Sequence, residues 1–188
     1  MLAIFEKVNG ELRKSVCDIT NNVSIERSIT IVTSTIEDFT KEKIPLYAAI
    51  KKEGKIIWGN VDLTISQEKP DIKYAEAFKK SKEFETQKVM VAEEMLKRHP
   101  SYGTAELCYI AAKHAIQMAL AMKGIGYSSK VSVLLPLANE HLGSELTEKF
   151  KRLFELYIKS EYGIKFLTVK ESKLAVKYAK EILKVYER

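Results

Sequence analysis

Three histidines and two cysteines are the side chains best suited to acid–base, metal or nucleophilic chemistry, and their spacing sets none of them up for it. His99, His114 and His141 are too far apart in the chain for any two to share one helical turn. Cys17 and Cys108 fall in different elements, and two thiols alone do not complete a tetrahedral metal site. Both are read as small buried residues in a reducing compartment. The chain carries no glycine-rich phosphate loop, His-Glu-x-x-His, Cys-x-x-Cys or Gly-x-Ser-x-Gly. No metal and no cofactor is therefore expected. His99 and His141 suit helix C-termini, where a cation complements the dipole. His114 lies on an apolar helical stripe and reads as a core histidine with one hydrogen bond.

Charge is more informative. The 188 residues carry a net charge of +6. Residues 1–65 hold nine basic and nine acidic side chains, whereas residues 66–188 hold 22 and 16. The whole excess sits in the second part, as expected for a surface that meets nucleic acid or another anion. Scarce glutamine beside abundant Lys, Glu and Ile leans towards a thermophile. The chain has no apolar run long enough for a membrane span, and Glu6 and Glu11 interrupt the N-terminus. Neither a membrane segment nor a signal peptide is expected, and a cytoplasmic setting follows.

These residues need elements to position them. Residues 2–17 read as a helix, or as a hairpin turning at Asn9-Gly10. The alternating, β-branched run 28–34 predicts a strand. Thr35 to Lys52 predicts a helix broken at Pro45. Lys55 to Gly59 predicts a second strand, which Val61 to Ile65 extends. Ser66 to Pro70 is the expected boundary. Helical periodicity follows over about 71–98, 101–123, 129–142 (with Pro136 inside), 144–162 and from Thr168 onward. Thr168-Val-Lys-Glu171 spells a capping box. The predicted fold class is α+β. A small N-terminal α/β region of two or three strands (1–65) precedes an up-and-down antiparallel bundle of four long helices and one short one (70–188).

Two stretches carry a family resemblance. Tyr102-Gly-Thr-Ala-Glu-Leu-Cys-Tyr-Ile-Ala-Ala-Lys-His-Ala-Ile-Gln-Met-Ala-Leu-Ala-Met-Lys-Gly124 resembles the second helix of HEPN domains. The helix at 144–162, then Glu161-Tyr162-Gly163 and the capped helix with Ala175, Ala179 and Ile182, is similar to that family's last two helices. Upstream, Ile44-Pro-Leu-Tyr-Ala-Ala-Ile-Lys-Lys-Glu-Gly-Lys-Ile-Ile-Trp-Gly59 resembles the end of a minimal nucleotidyltransferase, a domain often encoded beside or fused to HEPN domains.

The departures from both patterns bear on activity. A minimal nucleotidyltransferase needs Gly-Ser and an Asp-x-Asp pair to hold Mg²⁺. Here Gly143-Ser144 lies in the helical part, and Asp18, Asp38 and Asp62 are unpaired. HEPN ribonucleases carry an arginine and, a few residues later, a histidine near the end of the equivalent of 144–162. Tyr157-Ile-Lys-Ser-Glu-Tyr-Gly-Ile-Lys-Phe166 contains neither. The resemblance thus implies a non-catalytic protein that binds a nucleotide, RNA or a partner such as a nucleotidyltransferase, in a toxin–antitoxin-like pairing, and forms a homodimer. The expected contacts are Lys113, His114, Lys159, Tyr162 and Lys165. A divergent ribonuclease using Lys159 and Tyr162, or a pure assembly module, are the alternatives.

Overall fold

A computed structural model describes residues 1–23, 31–98, 103–126, 128–163 and 166–187. Side chains of residues 21–23 are outside that description. The chain divides into two compact units, Met1–Gln67 and Glu68–Arg188.

In the first unit, strand β1 (Leu2–Phe5) leads into helix α1 (Gly10–Val23), strand β2 (Val32–Thr35) and two short helices, α2 (Ile36–Thr40) and α3 (Pro45–Glu53). Neither expectation for residues 2–17 holds. Asn9-Gly10 starts a helix instead of turning a hairpin, because the Asn9 side chain accepts the Leu12 backbone N–H at 2.8 Å. The β1–α1–β2 connection then brings the two strands together in parallel, with Leu2 opposite Val32 and Phe5 opposite Thr35. The expected strand at 28–34 is seen only from its second half, since residues 24–30 lie outside the described residues. Pro45 does begin a new helix at its first turn, where its missing N–H costs nothing.

Lys55 to Gly59 and Val61 to Ile65 form no strand, which corrects the count to two among the described residues. Ile57 and Trp58 are 82% and 94% exposed, so that segment has no sheet to join. A buried ion pair fixes the chain on either side of it instead. The Lys51 ammonium lies 3.1 Å from Glu42, and both side chains are inaccessible to solvent. Lys51 also donates to the carbonyls of Thr40 (3.0 Å) and Thr64 (2.7 Å), and the Ser66 N–H donates to Glu42 (2.8 Å). The ammonium's three donors are all used, as burial of a charge demands.

The second unit contains α4 (Pro70–Lys73), α5 (Ala75–Arg98), α6 (Thr104–Met122), α7 (Val131–Leu142), α8 (Ser144–Tyr162) and α9 (Val169–Leu183), closed by a 3₁₀ turn at Lys184–Glu187. The single helix expected over 71–98 is split at Tyr74, and α7 includes Pro136 in its interior. Thr168 caps α9 in the full box with Glu171. Gly124, at φ +74°, ends α6 where a Cβ would stand 3.2 Å from Pro70.

The bundle is not a simple up-and-down antiparallel square, and that expectation is corrected. Helix α6 lies at its centre and touches α5, α7, α8 and α9. Its contact with α9 exceeds its contact with α7, the next helix in sequence. The reason is side-chain size. Ala105, Ala111, Ala112, Ala115, Ala119 and Ala121 are all buried on α6, so neighbouring axes approach closely from several sides. Ala175 and Ala179 present the matching small surface of α9, and Phe150, Leu153, Ile116 and Leu120 fill the space between. Among the described residues, no helix is long and apolar enough to cross a membrane.

The Lys51–Glu42 pair gives a stability test. Lys51→Met strands a buried carboxylate and should destabilise the first unit by about 3–5 kcal/mol. Lys51→Met with Glu42→Leu should recover most of that loss. Amide hydrogen exchange over residues 1–67 of the full chain measures both.

Candidate functional site

The expected contact residues do not gather in one cavity. Lys113 and His114 are neighbours on α6 but serve different partners. His114 leans towards α5, where its Nδ1 lies 3.1 Å from Glu85 Oε1. Glu85 is buried, and Lys88 grips both of its oxygens, at 2.8 and 2.7 Å. The imidazole is about two-fifths exposed, and its other nitrogen has no hydrogen-bond partner among the described residues. His114 is thus held by one carboxylate, as a single-bonded histidine should be, yet it is not in the core. Glu85 escaped the sequence reading, although it interrupts the apolar run Phe78, Val89, Ala92, Leu96 on the inner face of α5. A charge at a core position was the available signal.

Lys113 faces the other way. Its ammonium stands 5.9 Å from the Tyr109 ring centroid. Tyr109 stacks on Tyr157 at 4.3 Å and on Phe150 at 5.9 Å, which ties α6 to the second half of α8. Burial, and then the adjacent Tyr157, holds the Tyr109 hydroxyl above its ordinary pKa. Burial likewise raises Tyr157, with Tyr162, Glu161 and Glu106 adding to it. These phenols are therefore protonated at neutral pH, and Tyr157 is committed to packing.

Lys159 is committed as well. Its ammonium lies 2.6 Å from Glu171, the carboxylate that completes the α9 capping box. Glu171 is held down to about 2, first by Lys159 and then by the Thr168 backbone N–H and hydroxyl. Tyr162, by contrast, is 76% exposed at the end of α8, and Phe166 is 77% exposed just beyond it. Lys165 lies outside the described residues, as do His99 and the start of the Tyr102 stretch. His141, on the last turn of α7, stands 3.6 Å from Glu140.

Among the described residues, no group of three His, Cys, Asp or Glu side chains could hold a metal ion. Cys108 is buried, and burial pushes its thiol up to about 12, which removes it as a nucleophile. Cys17 is exposed, against the expectation that both cysteines are buried, because it falls on a solvent-facing position of α1. Two concavities lie elsewhere, between α5 and α9. A shallow groove of about 610 Å³ there is lined by Lys173, Lys177, Lys180 and Lys184 over Leu96 and Val176. The sequence reading passed over these lysines, although their spacing of three and four residues was the signal for a common helical face.

The class defined by this arrangement is a basic, all-helical bundle built round an alanine-rich central helix, with a charged surface and an aromatic seam between α6 and α8. The family model for the HEPN domain matches residues 86–188, from within α5 to the last residue, and the chain belongs to that family. The family covers ribonuclease toxins and non-catalytic members. The match does not reach the first unit, and nothing supports the nucleotidyltransferase likeness expected of it. Neither the curated proteins nor the solved structures contain a match.

The Glu171 contacts predict a pH dependence. A carboxylate lowered in the folded state stabilises the fold above its unfolded value, near ~4.3. That contribution is lost as the pH falls from there through about 2. Glu171→Gln should therefore have a lower urea midpoint than wild type at pH 7, and the two should converge towards pH 2. A constant gap would show that the carboxylate's charge is not what Lys159 and Thr168 recognise. Thiol labelling of the native protein should modify Cys17 and spare Cys108 until denaturant is added.

Proposed function

We propose that this chain is a non-cleaving member of the HEPN family that binds RNA or a nucleotide through the helical unit. One observation carries the reading. Where the family's ribonucleases place an arginine and a histidine, this chain has Tyr157-Ile-Lys-Ser-Glu-Tyr162, with Tyr157 stacked on Tyr109 and Lys159 neutralised by Glu171. Arginine and histidine are both lacking from that segment. A lysine already 2.6 Å from a carboxylate is a weak substitute for the bidentate arginine fork. The confinement of the +6 net charge to residues 66–188 supports an anionic ligand.

His114 supports the same reading in a binding role. Glu85 orients the ring, and the free nitrogen can give or take one hydrogen bond from a phosphate, ribose or base. The carboxylate beside it, Glu85, is itself gripped by Lys88.

A second reading is favoured by the apolar corner at the end of α8. Ile158, Tyr162, Phe166 and Val169 are 39%, 76%, 77% and 50% exposed within twelve residues of one another. A cluster of this kind suits a protein contact, including a homodimer.

Labelled RNA incubated with purified protein should be retarded in a native gel and recovered full length. Raising salt should weaken the complex steeply. Cleavage that disappears in Lys159→Ala would replace this reading with the divergent-ribonuclease one.

A further inference from the structure

The α5–α9 groove is the strongest feature that the proposed function leaves unused. Lys170, Lys173, Lys177, Lys180 and Lys184 recur every three or four residues along α9 and its 3₁₀ extension, and all five are exposed. At 1.5 Å per residue they form a straight row about 21 Å long. The opposite face of α9, with Ser172, Ala175, Ala179 and Ile182, is sealed in the core, so the helix cannot roll to hide them. Helix α5 supplies the other bank, with Lys82 and Glu93.

Three carboxylates, Glu93, Glu181 and Glu187, temper this row. Glu93 lies 2.6 Å from Lys180. Glu181 is 4.0 Å from Lys177 and is shared with Lys149 at 2.7 Å. Lys82, Lys170, Lys173 and Lys184 make no ion pair among the described residues. Six ammonium groups therefore face three carboxylates, Glu93, Glu181 and Glu187, and cations outside any ion pair lie at both ends of the row and on the α5 bank.

We propose that this row is a track for the phosphate backbone of a single-stranded nucleic acid. This rests on the reading of the chain as a binding protein and names the surface that does the binding. A flexible single strand can follow a straight row in a shallow groove, where a rigid duplex would meet only a few of the lysines. The row starts beside the α8–α9 corner, where the exposed rings of Tyr162 and Phe166 offer faces on which bases can stack. Backbone-tracking cations next to stacking aromatics are how single strands are held without sequence readout. A bilayer fits less well, because the apolar face of α9 is buried and cannot insert.

The test is fluorescence anisotropy with a labelled oligouridylate, using the full chain. Lys173→Gln/Lys177→Gln/Lys184→Gln should weaken binding at least tenfold. It should also lower the slope of log affinity against log salt by about 2, at about 0.7 per lost contact. Helical circular dichroism should be unchanged. A control of equal charge change, Lys55→Gln/Lys130→Gln/Lys151→Gln, should stay within about twofold of wild type. Equal losses in the two triple variants would overturn the track in favour of bulk charge. Undiminished binding in the first variant would overturn it while leaving RNA binding standing elsewhere on the bundle. Displacement of the oligouridylate by polyglutamate in preference to polyuridylate would assign the row to an acidic protein and overturn the proposal. Absence of any binding by wild type would remove the proposed function itself.

Discussion

The close approach permitted by alanine on α6 is the constraint on which the rest of the bundle depends. A helix that touches four others must present a small surface in nearly every direction, or its neighbours are held apart and leave voids. Six buried alanines supply that surface. They contribute little apolar area themselves, so larger side chains must fill the space: Ile116 and Leu120 from α6 itself, Phe150 and Leu153 from α8, Ile182 from α9 and Leu134 from α7. A bulky residue at Ala111, Ala112 or Ala115 would force those helices outwards, at a typical overpacking cost of about 1–3 kcal/mol. The central helix is thus a template, and the outer helices share the burial of large apolar side chains with Ile116 and Leu120 of α6.

That division of labour decides where charge can go. Helix α9 turns Ala175 and Ala179 inwards onto α6, and its lysines are left on the opposite face by the helical period alone. The same period places Glu85 of α5 inside, where it would be a liability without Lys88 and His114. The exposed lysine row and the buried Glu85 network are two outcomes of one geometric rule, one at the surface and one beneath it. Only the surface outcome leaves unpaired charge for a ligand.

The bundle was legible because its signals are local. The 144–162 helix is found with the residues anticipated, since glycines bound it at both ends and its apolar positions recur at the helical period. The capping box of α9 was readable from four residues and is fully formed. What was illegible depended on partners distant in the chain. Lys55 to Gly59 has the composition of a strand but no strand to pair with, and Trp58 ends exposed. Asn9-Gly10 is a hairpin signal that became a helix start when the Asn9 side chain took the Leu12 N–H. Lys113, His114, Lys159 and Tyr162 could be named from sequence, but not that they point to four different neighbourhoods. That depends on which face of α6 meets α5 and which meets α8, and a single helix does not encode it.

At the end of α8 the side chains are taken up by packing and pairing. The side chains there now do structural work: Tyr157 extends the aromatic stack through Tyr109 to Phe150, and Lys159 secures the first turn of α9 through Glu171. An arginine and a histidine at a catalytic centre must stay partly desolvated and unpaired to meet a phosphate. The same positions filled by a stacking tyrosine and a paired lysine couple α8 to its neighbours instead. Stability gained at that corner and catalysis at that corner compete for the same side chains. In this chain packing and pairing hold the corner, and α9 carries an exposed row of lysines on its outer face.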